Sequence, residues 1–565
     1  MKRCPECRRD YYDESLIFCL DDGARLLEGP TPDAMPTAIM PVVEPSRSSA
    51  TRTFDNGAPT TESSTGAPLQ GTRNVLILFA VVTAAVFLSW AAYTFYTGRQ
   101  ARQIESIAVM PFVNGASNPD LEYLSDGITE SLINSLSQVP SLSVKARSSV
   151  FTYKGKDVTP QQVANDLSVQ AVVNGRVRQR GDQVILNVEL VDAATGNQIW
   201  GEQYARKIAD LVQLQSEIAR DVTGRLRAKL SGTEQQRVSK NYTENTEAYQ
   251  LYLRGRYHWN KRKPDDIRKS IEYFQQAIDK DPTYALAYAS MAESYILVPN
   301  YRLGPPKEYY PKARAAATRA IEIDQSLAEA HNALATVTSN YDWKFREAEA
   351  EFLKALELNP NYATAHQWYA EFLLSLGRNS EALSEIRRAQ ELDPLSLIIN
   401  GMVGVTLWLM GENGPALEQL NKTLEMDPNF PRTHLFLAEV HESVGRFDEA
   451  ADEFARHLVL NGGSPDGAAA FAQQIKSAAR AGGPKGYSLK MAELLEANAG
   501  AVQPPVTVMA GYWGRGGEID KAFSLLEKAY ADRDDGLLTM KDRRLDPLKS
   551  DPRYKDLLRR VGLPE

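Results

Sequence analysis

The side chains in this 565-residue chain that could hold a metal gather at its extreme N-terminus. Cys4-Pro-Glu-Cys7 has the spacing of a metal-binding knuckle, and Phe18-Cys19-Leu-Asp-Asp22-Gly23 repeats that shape with Asp22 where a fourth thiol would stand. Thiolates and a carboxylate oxygen together complete a tetrahedral zinc shell. A module as short as residues 1–28 needs such a staple to fold. The candidate ligands are therefore Cys4, Cys7, Cys19 and Asp22, with Asp21 as a substitute for the last, and a structural zinc is the one cofactor they imply. The other reading is a module that no longer holds metal.

This N-terminal pattern resembles a zinc ribbon with one ligand replaced. The three cysteines are the chain's full complement, so nothing after Cys19 can form an intramolecular disulfide. Catalytic signatures are scarce elsewhere. All six histidines, His258, His331, His366, His434, His441 and His457, lie in one later region without a zincin spacing. They read as helix-surface or packing residues. The sequence holds no phosphate-binding loop, nucleophile elbow or kinase signature set. The glycine-rich Gly511-Tyr-Trp-Gly514-Arg-Gly516-Gly517 reads as punctuation between helices. An enzyme reading would have to use Asp126, Glu130 and Asp192, and the expectation is that the chain is not an enzyme.

Several elements must position whatever these residues do. Residues 29–73 are rich in Ser, Thr and Ala and carry seven prolines between Pro30 and Pro68, the composition of an extended linker. An uncharged apolar run, Val75 to Tyr96, follows within residues 74–97. As a helix it spans about 33 Å, enough for a hydrocarbon core of about 30 Å. Trp90, Tyr93, Phe95 and Tyr96 sit near its C-terminal end, as interfacial aromatics do. A signal peptide would begin nearer residue 1. Arg73 precedes the run and Arg99 and Arg102 follow it, which leaves the basic flanks nearly balanced. The thiols make most sense in a reducing cytosol. The expectation is a single-pass protein of the bacterial inner membrane, with its N-terminus in the cytoplasm and its C-terminal domains exported.

Residues 104–231 read as a mixed α/β domain. Ser106 to Phe112 is a buried strand, and Leu124, Ile128, Leu132 and Leu136 repeat at helical spacing. Thr159 with Pro160 opens a helix to Leu167. Alternating runs from Ala171 and Gln183 meet at Arg180-Gly181-Asp182, a hairpin turn, and a third strand starts at Gln198. The stretches Ile107-Ala-Val-Met-Pro-Phe112, Tyr123-Leu-Ser-Asp-Gly-Ile-Thr-Glu130, Ala171-Val-Val-Asn-Gly175 and Asp192-Ala-Ala-Thr-Gly196 with Trp200 are similar to the TolB amino-terminal-like domain family. That resemblance implies an envelope-facing, protein-contacting module with no catalytic residues. It is one that elsewhere adjoins tetratricopeptide repeats or cyclase, kinase and DNA-binding domains.

From about residue 245 the chain becomes self-similar. Asp281-Pro282, Asn359-Pro360, Asp393-Pro394 and Asp427-Pro428 recur, with Asp324-Gln325 in the missing place, and from Asp324 the steps are 35, 34 and 34 residues. Within one unit Ala370, Leu373, Gly377, Ala382, Ile386 and Ala389 hold positions that Gly404, Leu407, Gly411, Ala416 and Leu420 hold in the next. Small residues let two helices approach, proline ends the second helix, and each hairpin needs a neighbour to cover its apolar face. Residues 245–462 thus resemble tetratricopeptide repeats, six hairpins by count. Residues 463–565 read as degenerate repeats and a cap. The fold class is multi-domain: an α-solenoid plus a mixed α/β domain, one transmembrane helix and a small zinc-ribbon-like module.

The resemblance places the first helix of each hairpin along a groove, which makes Gln367, Glu371, Trp408, Arg432 and Glu439 the candidate partner-binding residues. For Trp408 a packing role is the alternative. The net charge of −8 and the lack of a dense basic run argue against nucleic acid as a partner. The function expected is a membrane-anchored scaffold or adaptor that binds proteins or peptides in the groove. Two rivals stand beside it. One is a single-pass receptor relaying an envelope cue to the cytosolic ribbon, and the other a regulator of the kind fused to cyclase or kinase domains.

Overall fold

A computed structural model describes residues 2–3, 10–11, 27–28, 104–115, 121–226, 231–498 and 504–565. The chain divides into two compact units, Met1–Arg99 and Gln100–Glu565. In the first, strands β1 (Lys2–Arg3), β2 (Asp10–Tyr11) and β3 (Leu27–Glu28) form an antiparallel sheet with β1 in the centre. Cys4, Cys7, Cys19, Asp22 and the apolar run 75–96 lie outside the described residues. Among the described residues no helix is long and apolar enough to cross a membrane.

The second unit begins with a mixed sheet of β4 (Ser106–Val109), β5 (Val113–Asn114), β6 (Ser143–Val144), β7 (Ala171–Arg180), β8 (Gln183–Asp192) and β9 (Gln198–Lys207). The order is β6-β4-β7-β8-β9, with β5 also against β7. The strand read as Ser106 to Phe112 stops at Val109, because Pro111 lacks the N–H that a central ladder needs. Strands β7 to β9 are an antiparallel meander, and β4 lies parallel to β6 and β7. Helix Pro160–Leu167 starts in a capping box, with Gln162 N–H donating to the Thr159 hydroxyl. Gly175 in β7 lies beneath Phe112, whose Cδ1 would stand 2.4 Å from any added Cβ.

Helix Glu122–Ser137 covers the sheet and then packs on the first of the eight helical hairpins among the described residues. Thr246–Lys261 pairs with Pro264–Lys280, and Ala285–Asn300 with Pro306–Ile323. Ala328–Asn340 pairs with Phe345–Leu358, and Ala363–Ser375 with Asn379–Leu392. Leu397–Leu409 pairs with Asn413–Met426, and Pro431–Ser443 with Phe447–Leu460. The seventh hairpin is Pro465–Ala497, which breaks at Gly483 before Pro484. The eighth is Val506–Arg515 with Ile519–Asp532. Two short 3-10 helices, Asp535–Thr539 and Arg543–Leu548, and helix Pro552–Val561 close the chain. Gly377, Gly411 and Gly445 take φ of 76°, 88° and 79° in successive hairpin turns, a conformation that a side chain makes costly.

One apolar core runs without a break from the sheet into the first three hairpins, from Ile107 and Leu132 to Tyr249, Tyr284 and Val337. A polar clasp recurs further along. The ring nitrogen Nδ1 of His331, His366 and His434 lies 2.6 Å from Glu351, Glu385 and Glu453 on the paired helix. Each Nε2 lies about 3 Å from the carbonyl six residues earlier. Asn400 fills the equivalent place in the fifth hairpin, donating to Pro394 O over 2.8 Å. These histidines hold the two helices of a hairpin together.

Candidate partner-binding channel

The first helices of the third to sixth hairpins line a channel of ≈1780 Å³. Two rims bound it. The loops between hairpins form one, and the α/β domain is fastened along it. Asn361 Nδ2 reaches the carbonyls of Ser137, Val139 and Leu142, each at 3.1 Å, and Asn359 Nδ2 donates to Ser137 Oγ. Ser149 Oγ donates to Asp393 Oδ1 over 2.6 Å, with Ser148 bonded to the same carboxylate. Lys145 Nζ donates to Glu391 O over 2.7 Å. The turns within hairpins form the other rim, and residues 533–548 lie along it.

Four of the five residues expected in the groove line this channel, namely Gln367, Glu371, Arg432 and Glu439. Gln367 Nε2 donates to Glu371 Oε1 over 3.0 Å. Desolvation between the channel walls raises the Glu371 carboxyl, while the Gln367 amide and the Arg432 charge oppose the shift. The Arg432 guanidinium stands 5.8 Å from the Phe436 ring centre. Glu439 faces Arg544 at 2.6 Å, yet burial still pushes its carboxyl up to about 7.

Trp408 corrects the expectation. It is 2% exposed and does not line the channel. Its indole Nε1 donates to Ser443 Oγ on the next hairpin over 3.0 Å. Its place at the end of Leu397–Leu409 turns the ring into the gap between consecutive hairpins, where it fills volume.

At the N-terminal end of the channel the carboxylates of the Asp-Gly-Ile-Thr-Glu motif enter an ion network. Glu130 accepts from Arg256 Nε over 2.7 Å and from Asn260 Nδ2 over 2.6 Å, and Arg147 Nε stands 3.1 Å away. Arg256 also meets Glu293 at 3.0 Å, whose other oxygen accepts from Tyr362 over 2.7 Å. Asp126 meets Lys154 at 2.5 Å. Burial raises the Asp126 carboxyl, against the pull of Lys154 and Arg147. Asp192 Oδ1 closes its own turn by accepting the Thr195 N–H over 2.8 Å. Carboxylates so engaged hold elements together, and the network ties the α/β domain to the first two hairpins. The arginines of this network and of residues 533–548 carried no signal in the sequence, because their partners stand far off in the chain.

Three family models match the chain. Two describe tetratricopeptide repeats, over residues 344–398 and 406–468. The third, over residues 102–220, is the HilA/YgeH-like transcriptional regulator, second domain, a different description from the TolB-like resemblance of the same segment. A curated Rhizobium meliloti (strain 1021) protein named "Putative adenylate cyclase 3" is 34% identical over 253 residues, which are 44% of this chain. The match spans 42% of that relative's length. Among solved structures, Pseudomonas aeruginosa pilF is 24% identical over 38% of this chain and 92% of its own, with a TM-score of 0.30. YrrB, described as a TPR protein with an unusual peptide-binding site, is 22% identical over 36% of this chain and 97% of its own, with a TM-score of 0.26. TM-scores this low carry no argument, so the assignment rests on the two repeat models and the hairpins themselves. The second unit of this chain is a mostly helical solenoid built on tetratricopeptide repeats, with a small α/β region at its start.

Proposed function

We propose that this chain is a membrane-anchored scaffold or adaptor at the cell envelope, and that its solenoid takes a polypeptide segment of a partner protein into the channel. The observation that carries this reading is the channel itself. Its ≈1780 Å³ exceeds the roughly 300–1,000 Å³ of small-molecule pockets. Its walls come from successive first helices, which present side chains at a regular spacing to an extended or helical segment. In this reading residues 75–96 anchor the chain in a bacterial inner membrane, with residues 1–28 in the cytoplasm and the later domains exported. A zinc held by Cys4, Cys7, Cys19 and Asp22 staples the N-terminal module. Zinc content of the full chain, lost in Cys4→Ser plus Cys7→Ser, tests that part.

The test of the main reading is a crosslinking pull-down from membranes with the full-length chain and a Glu371→Ala plus Arg432→Ala variant. A discrete partner captured by the first and lost by the second supports it. Equal capture by both sinks it. The regulator reading keeps a place because the α/β segment is similar to a transcriptional-regulator domain and part of the chain to a protein named for a cyclase. Deleting residues 1–28 separates the scaffold from the receptor that would relay an envelope cue through the ribbon. Intact partner capture and phenotype favour the scaffold, whereas lost output with intact capture favours a relay.

A further inference from the structure

The solenoid closes on itself. Tyr310 in the second hairpin donates to Asp535 Oδ2 over 2.8 Å, across 225 positions of sequence. Arg533 Nη1 donates to Tyr341 O over 3.3 Å, and its guanidinium lies 4.1 Å from the Trp343 ring centre. Arg543 Nη1 donates to Trp408 O over 2.9 Å and to Asn413 Oδ1 over 3.3 Å. Arg544 Nη1 donates to Glu439 Oε1 over 2.6 Å. A single short segment thus visits the second, third, fifth and sixth hairpins. Its other side is apolar, and Leu537, Met540, Leu545 and Leu548 are buried against the eighth hairpin and the last helix.

The chemistry of the rim explains why arginines bind it. Tyr341 O and Trp408 O stand at the C-terminal ends of first helices, where the helix dipole is negative, and Trp408 O accepts the Gly411 N–H beside Arg543. Glu439 adds a carboxylate to this row of acceptors. Arginine meets such a surface with several donors in a fixed fork.

We propose that residues 533–548 are a latch that holds the channel shut, and that they stand in for the partner: the segment that displaces them presents arginines beside aliphatic side chains, like Arg543-Arg544-Leu545. This deepens the reading of the channel as a partner site and rests on it. Because its apolar side belongs to the C-terminal cap, the latch opens by the cap moving away from the rim, without unfolding.

The test uses the full chain with Arg544→Glu, Glu439→Arg and the double swap, together with Arg544→Gln, which keeps the side chain's bulk should the reversal misfold. Hydrogen exchange is followed across residues 533–548 and the turns at 376–378 and 410–413. A synthetic peptide of residues 533–548 serves as the binding probe. Arg544→Glu and Arg544→Gln should each raise exchange by at least roughly tenfold, because a buried pair has lost one partner. The double swap should return only part of it, because the carboxylate it places at position 544 stands against Asp542, to which Arg544 Nε donates over 2.9 Å. The peptide should bind Arg544→Glu at least about tenfold more tightly than the unmutated chain, and bind Glu439→Arg no better than the unmutated chain. Unchanged exchange in both Arg544 variants overturns the latch. Faster exchange with equal peptide binding to Arg544→Glu and Glu439→Arg overturns the partner chemistry. A pull-down unaffected by Glu371→Ala plus Arg432→Ala overturns the channel reading by itself, and the exchange data still judge the latch.

Discussion

Replacing Asn361 should loosen the α/β domain from the repeats, and the size of the effect follows from its bonds. Asn361 is 5% exposed, and its amide nitrogen serves three carbonyls at 3.1 Å, those of Ser137, Val139 and Leu142. Ser137 ends helix Glu122–Ser137, so the asparagine caps that helix from a different domain. The nitrogen carries two hydrogens. Alanine removes both donors and strips the Ser137 and Leu142 carbonyls, while Val139 O keeps the Leu142 N–H, at about 1.5 kcal/mol for each lost donor, or about 3 kcal/mol together. At about 1.4 kcal/mol per factor of ten, local opening should rise by about a hundredfold. Hydrogen exchange of residues 134–144 in the full chain reads this directly. Aspartate sharpens the test, because it keeps the shape but turns a charged oxygen toward the three carbonyls. Arg388, which donates to Asn361 Oδ1 over 3.2 Å, relieves only part of that. Asn361→Asp should therefore open at least as far as Asn361→Ala. Less than a threefold rise in both, or tighter protection in the aspartate variant, refutes the hydrogen-bond account.

Other outcomes follow from the same geometry. Burial opposes a charge on His331, but the Glu351 carboxylate and the Gln325 carbonyl outweigh it and raise the ring above its ordinary value of 6.5. Its stabilisation is therefore complete below pH 6.5 and is lost as pH rises through the raised value. Thermal melts should show that decline, and His331→Asn, which copies the residue found at Asn400, should flatten it. Glu439 sits near 7 between Arg544 and Asp542 of the latch and Glu442 and Arg432 of its own helix. A carboxyl raised by burial in the closed state gives stability that is present at low pH and lost as pH rises through 7, so the opening of residues 533–548, read as exchange relative to each amide's intrinsic rate, should grow as pH rises from 6 to 8. Gly404 lets two helices meet, since an added Cβ would lie 2.7 Å from Leu420 Cγ. Gly404→Ala should cost about 1–3 kcal/mol in urea unfolding of the fifth hairpin, against a near-neutral Gly414→Ala, which has open space around it.

The solenoid was legible because its contacts are local and periodic. Two helices touch only where both are slim, so Ala370, Ala382 and Ala389 had to recur, and all three are buried at hairpin contacts. Proline after Asp or Asn marked the exits of four second helices, and Asp324-Gln325 held the same place at another. The groove residues were half legible. Position within a helix put Gln367 and Glu371 on the channel wall, but it could not say which way Trp408 turns, because that depends on the volume left by the next hairpin. Asp126 and Glu130 looked like available carboxylates until their partners Lys154, Arg147 and Arg256 were in place. The latch was invisible for a similar reason. Arg544 and Glu439 stand 105 positions apart, and no short-range pattern joins them.

A photo-crosslinking residue placed at Gln367 in the full-length chain, compared with one at Glu357 on an exposed second helix, tests the central claim most directly. The account predicts a discrete protein adduct from position 367 in membranes, absent from position 357 and competed by the peptide of residues 533–548. The same adducts from both positions, or none from position 367, would contradict it.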